Sequence, residues 1–141
     1  MNWRELYFSR TVTAKEAISH IKSGDRVALG HASAEPLYLV DTMVNNCDAY
    51  ENVELVQMVP MGNNRYLEPG MEKHFHLNSI FAGAVVREAI EDGRADFTPC
   101  SFARVPRMFH NFLPVDVALV SVTPPDRYGN CSLGVSVDYT K

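Results

Sequence analysis

Three stretches of this 141-residue chain, "RVALG" (26–30), "VELVQMV" (53–59) and "VDVALVSV" (115–122), limit the possible folds most sharply. Each is a nearly continuous apolar run, too short for a helix and without the strict alternation of a strand with one wet face. Such runs read as strands buried on both sides, the usual setting of a parallel sheet. Parallel neighbours need long crossovers, and the intervening segments carry helical spacing.

In "TAKEAISHIKSG" (13–24) Thr13 and Glu16 match a capping box, Ala14, Ala17, Ile18 and Ile21 recur on one face, and Gly24 supplies the stop. "EPLYLVDTMVNN" (35–46) reads as a helix with Pro36 at the tolerated first position. "AVVREAIEDG" (84–93) reads as an amphipathic helix with Ala82, Val85, Val86, Ala89 and Ile90 facing one way and Gly93 at its end. "HFHLNSIF" (74–81) and "ADFTP" (95–99) are further strand expectations. A helix is expected around "FARVPRMFHNF" (102–112), limited or kinked by Pro106. The expected class is therefore α/β: one domain with a mostly parallel sheet and helices on both faces.

Composition narrows the function classes. Net charge is −4 and the arginines are scattered, which excludes the basic footprint of a nucleic-acid binder. No apolar run reaches membrane-span length, and "MNWRELYFSR" has no signal-peptide pattern, so no membrane role is expected. Cys47, Cys100 and Cys131 are odd in number and widely spaced, as reduced thiols of a cytoplasmic protein would be.

Parallel sheets bind ligands outside the carboxyl ends of their strands. Three segments leave those ends: "GHASAEP" (30–36), "PMGNNRYLEPG" (60–70) and "TPPDRYGNCSLG" (123–134). In the first, Gly30 lets the backbone bend, and His31 and Glu35 offer a proton donor and an acceptor beside the N–H groups of the next helix, a setting suited to a carboxylate or phosphate. The plainer alternative is a strand-to-helix loop with an ordinary surface His and Glu. His74 and His76 share a strand face and could be half of a metal site, but no further ligands are spaced nearby, and no metal is expected. Ser101 has no nucleophile elbow, Cys100 and Cys131 read as small buried side chains, and no dinucleotide or triphosphate motif is present.

Taken in order, "GDRVALGHASAEP", "HFHLNSIFAGAVVREAIEDGRADFTPCSFARVPRMF" and "VDVALVSVTPPDRYGNCSLGVSVDYTK" resemble the acetyl-CoA hydrolase/transferase family, in particular its CoA-transferases for 4-hydroxybutyrate and for butyrate and acetate. The resemblance implies the CoA-transferase (NagB/RpiA-like) fold in two tandem α/β domains with the active site between them. It implies ping-pong transfer of coenzyme A, the cosubstrate, between a short-chain acyl-CoA and a carboxylate through a glutamyl-CoA thioester. The nucleophilic glutamate belongs to the second domain of the family. Residues 1–141 then form the amino-terminal domain, with no catalytic residue of their own, and Glu35 is not that nucleophile.

Position after the strands gives the expected substrate walls: Gly30, His31, Glu35, Met58, Met61, Asn64 and Phe75. The loop carrying Pro124, Pro125, Asp126 and Gly129 is expected to line the interdomain cleft. Expected partners are acyl-CoA, a short-chain carboxylate, the chain's own second domain and a further copy in a homo-oligomer. Two alternatives stay open: a thioester hydrolase that delivers water, and a non-catalytic module binding small anions or CoA.

Overall fold

A computed structural model describes residues 2–141. Its five strands are β1 (Arg26–Leu29), β2 (Val53–Gln57), β3 (Phe75–Ser79), β4 (Ala95–Phe97) and β5 (Val117–Leu119). They form one sheet in the order β4-β3-β2-β1-β5, and every neighbouring pair is parallel. The helices are α1 (Trp3–Arg10), α2 (Ala14–Ile18), α3 (Leu37–Asn45), α4 (Ala84–Glu91) and α5 (Val105–Asn111).

The three apolar runs are strands of this sheet, and the reason lies in how β2 divides its side chains. Successive residues of a strand point to opposite faces. Val53 and Leu55 enter one core with Ile18 of α2, Val40, Met43 and Val44 of α3, and Val86 and Ala89 of α4. Val56 enters a second core with Val105 and Met108 of α5, Met58, Ile80 and Tyr139. Both faces are therefore dry, which explains the lack of alternation.

Several boundaries differ from the sequence reading. The helix expected from Thr13 onward ends at Ile18: Thr13 Oγ1 accepts from the Glu16 N–H at 3.2 Å, but the chain has left the helix before Gly24, whose φ is +83°. The run 115–122 contributes only Val117–Leu119, because β5 is an edge strand with one neighbour to pair with. In α4 Val86 and Ala89 are buried as expected, whereas Val85 is exposed and Ala82 precedes the helix. Pro106 falls in the first turn of α5, where its missing N–H costs nothing, so it starts the helix and does not kink it. Helix α1, capped by Asn2, has no counterpart in the sequence reading, since none of its side chains is buried.

Candidate active-site rim

The strand order fixes where a ligand can sit. Chain progression runs from β1 to β4 toward one edge, then returns to place β5 on the far side of β1. The reversal lies between β1 and β5, and a crevice opens outside the carboxyl ends of strands at such a switch point. Gly30–Pro36 leaves β1 here, and Met58–Asn64 leaves the adjacent β2.

Gly30 ties the rim together. Its N–H donates to the Leu119 carbonyl of β5 at 2.9 Å, and its carbonyl accepts from Gln57 Nε2 of β2 at 3.1 Å. A Cβ at this position would lie 2.7 Å from the Ala34 carbonyl oxygen, so the close turn admits only glycine. Ala32 follows with φ +51°, strained for a residue with a side chain, and is held there as its N–H donates to the Val59 carbonyl at 2.9 Å.

His31 and Glu35 are not surface residues: their exposures are 4% and 7%. His31 Nε2 is bonded to the Asp138 carboxylate, and its ring packs against Tyr139 and Phe102 at centroid separations of 5.2 and 6.0 Å. One oxygen of Glu35 accepts from both the Met61 and Gly62 N–H groups, at 2.7 and 2.8 Å. The carboxylate thus clamps the segment leaving β2 onto the segment leaving β1. Its other oxygen and His31 Nδ1 are buried and have no partner among the described residues.

Below the clamp lies a buried polar chain. The Tyr66 hydroxyl is 3.0 Å from both Gln57 Oε1 and Asn64 Oδ1, and its single proton serves one at a time. Asn64, at φ +53°, returns its amide to the Gly62 carbonyl at 2.8 Å. Burial first, then the nearby Glu35 carboxylate and Tyr139, push the Tyr66 hydroxyl far above the ordinary tyrosine range, so it stays a neutral donor. Tyr139 is likewise raised, chiefly by burial, and its hydroxyl donates to the Leu29 carbonyl.

Gly30, His31, Glu35, Met58, Met61 and Asn64 are therefore gathered at one rim. Met58 is buried beneath it in the second core, while the Met61 side chain is 66% exposed. Phe75 is not at the rim. It begins β3, packs on Tyr50 at 5.9 Å in the first core, and so lies at the amino end of the sheet. The sequence places it on a strand but not at which end of that strand, hence the misassignment.

The 121–135 loop divides in two. Its base meets the rim: Ser121–Thr123 and Ser132–Val135 line a pocket of about 300 Å³ with Ser33 and Ala34. Its tip turns away. Pro124, Pro125 and Asp126 line a pocket of about 530 Å³ with Trp3, Tyr7 and Phe8 of α1. A Cβ on Gly129 (φ +88°) would lie 2.4 Å from the Trp3 ring. Asp126 organises the tip by accepting from the Tyr128 and Asn130 N–H groups at 2.8 and 3.0 Å.

His74 and His76 do not act as a pair. His76 Nε2 meets Asp96 at 2.8 Å, whereas His74 Nδ1 meets the Tyr50 carbonyl at 2.8 Å. Gln57, Tyr66, Ser33 and Asp138 join the rim without a sequence motif to mark them. A glutamine inside "VELVQMV" is the one signal that could have revealed a buried polar network, since a fully buried amide needs partners.

This geometry has close relatives. The family model for the acetyl-CoA hydrolase/transferase N-terminal domain matches residues 1–141. The chain belongs to the acetyl-CoA hydrolase/transferase family. It is 49% identical, over its whole length, to a 4-hydroxybutyrate coenzyme A transferase of Clostridium kluyveri, of which it covers 33%. Among solved structures, RipA from Yersinia pestis superposes with a TM-score of 0.89 at 27% identity, with 99% of this chain and 35% of that chain covered. A 4-hydroxybutyrate CoA-transferase from Porphyromonas gingivalis gives 0.78 at 35% identity, with 99% and 31% covered. The chain thus spans about a third of the length of these proteins.

Proposed function

We propose that the chain is the amino-terminal domain of a CoA-transferase that moves coenzyme A between a short-chain acyl-CoA and a carboxylate of the 4-hydroxybutyrate, butyrate or acetate type. The observation carrying this reading is the 49% identity across the whole chain to the Clostridium kluyveri 4-hydroxybutyrate coenzyme A transferase. A butyryl-CoA:acetate CoA-transferase of Anaerostipes caccae, 28% identical over 99% of the chain, supports the same substrate class.

In this reading the rim at β1 and β2 supplies one wall of the acyl site, and a second domain brings the glutamate that carries CoA as a thioester. The Glu35 clamp fixes the Met61–Gly62 backbone, so that the exposed Met61 side chain presents an apolar surface to a short acyl chain. Glu35 is a positioning residue here: one of its oxygens is already committed to two N–H groups. The second domain would cover exposed apolar residues such as Phe102, Phe112 and Val135, which are costly to leave in water. A homo-oligomer in the cytoplasm completes the proposal. Among the described residues no helix is long and apolar enough to cross a membrane.

The test is acceptor kinetics on the intact gene product containing this chain. With butyryl-CoA as donor, 4-hydroxybutyrate or acetate should consume the thioester at least about tenfold faster than water does, and the product should be the acceptor's own CoA ester. Thioester loss that is independent of acceptor would make the protein a hydrolase. Binding without turnover would make it a non-catalytic module.

A further inference from the structure

We propose that Cys47, Asp48 and His74 form a site for a zinc-class divalent cation, at the end of the sheet opposite the active-site rim. A thiolate or thiol sulfur, a carboxylate oxygen and an imidazole nitrogen from these residues all lie within 4.8 Å of one another. Bonds of about 2.0–2.3 Å in a tetrahedral site would bring such donors to roughly 3.5 Å apart, a closure of about 1 Å by side-chain rotation.

The backbone under all three donors is already fixed. Cys47 and Asp48 sit in a single tight turn after α3, closed by the Tyr50 N–H donating to the Cys47 carbonyl at 2.8 Å. Tyr50 is buried, and its hydroxyl donates to the Ile18 carbonyl at 3.0 Å. His74 lies one residue before β3. Its N–H donates to the Met71 carbonyl at 2.9 Å, and its carbonyl accepts from the Val53 N–H at 3.0 Å. Two segments distant in sequence are therefore held side by side by main-chain bonds.

One ring nitrogen of the imidazole is committed and the other is open. His74 Nδ1 is 2.8 Å from the Tyr50 carbonyl oxygen, which can only accept, so Nδ1 carries the hydrogen. Nε2 makes no hydrogen bond among the described residues. Metal-binding histidines commonly have this arrangement, with the far N–H given to a backbone carbonyl that fixes ring and tautomer. Cys47 and His74 are half-buried and Asp48 is exposed, which leaves an entry path and room for water as the fourth ligand. One sulfur, one nitrogen and one carboxylate favour zinc, cobalt or cadmium over magnesium or calcium, which take oxygen sites. On binding, the Cys47 S–H bond is lost to solvent as a proton and a metal–sulfur bond forms.

The residues lie at the amino ends of β2 and β3, whereas Gly30 and Met58 lie at carboxyl ends, so the site would brace the sheet and take no part in acyl transfer. The proposal does not depend on the CoA-transferase reading.

The experiment uses the tag-free chain, stripped with a chelator and titrated with zinc against a chromophoric competitor, then with cobalt followed by absorbance. One equivalent of zinc should bind, cobalt should give a thiolate charge-transfer band, and zinc should raise the melting temperature. Cys47→Ser, which keeps the size of the side chain, should abolish the band and weaken zinc at least about tenfold. Asp48→Asn, at an exposed position, should weaken it while leaving the fold intact. A variant lacking Cys100 and Cys131 should behave as the parent. Failure to bind an equivalent of either metal, or binding that survives Cys47→Ser, or a band that follows Cys100 or Cys131, would overturn the proposal.

Discussion

At the scale of single residues, Glu35 separates what pattern can reveal from what only packing can. The sequence places it in a loop after a strand, where a carboxylate is ordinarily wet. Burial and the two N–H groups of Met61 and Gly62 make it instead a bridge between neighbouring loops. Removing the carboxylate leaves those two donors without their acceptor, at about 1–3 kcal/mol each. Glu35→Ala should therefore lower the unfolding free energy by about 2–6 kcal/mol in a urea titration, and Glu35→Gln should recover part of the loss. An alanine variant within 0.5 kcal/mol of the parent, roughly the spread of a neutral surface change, would mean that the clamp is not maintained in solution. Phe75 shows the converse limit. Its residue type marks it as apolar and strand-forming, but which end of the strand it occupies depends on where pairing begins. That is decided by the register of β3 on β2, with Phe75 opposite Val53.

At the scale of elements, the legible parts were those whose cause is local. Dry runs became parallel strands, Thr13 capped α2, and the glycine ending β1 marked the rim. Elements whose boundaries depend on neighbours are not legible in this way: β5 stops early because it is an edge, and α1 has no buried face to announce it. The 121–135 loop lies between these cases. Its many prolines and glycines correctly signalled a structured segment, while the division between a base at the rim and a tip on α1 needed Trp3 in place. The tip should respond to acid through Asp126. The N–H groups of Asn130, then Tyr128, stabilise the ionised carboxylate and hold its pKa below the ordinary aspartate value of 3.8. A depressed folded value means that the contribution is complete above the ordinary value and is lost as pH falls through the folded one. Trp3, the chain's single tryptophan, reports on the tip through its contact with Gly129. Its emission should stay constant from neutral pH down to the ordinary aspartate range and shift below it. Asp126→Asn should show the shifted emission already at neutral pH. A variant that matches the parent throughout would remove Asp126 from control of the loop.

At the scale of the whole molecule, the parallel sheet with its reversal beside β1 gathers the loops leaving β1 and β2 at one rim. The groups gathered there are a committed carboxylate, a histidine tied to Asp138, and hydroxyls kept neutral by burial; none is a free nucleophile. The chain spans about a third of its relatives' length, and the proposal above assigns the covalent step to a second domain. The most direct measurement is peptide mapping by mass spectrometry after the intact gene product is mixed with butyryl-CoA or acetyl-CoA and reduced with borohydride. The account predicts a single modified glutamate outside residues 1–141, no modification within them, and no adduct when the isolated chain is treated alone. A stoichiometric acyl or CoA adduct on any residue of this chain, Glu35 included, would contradict it.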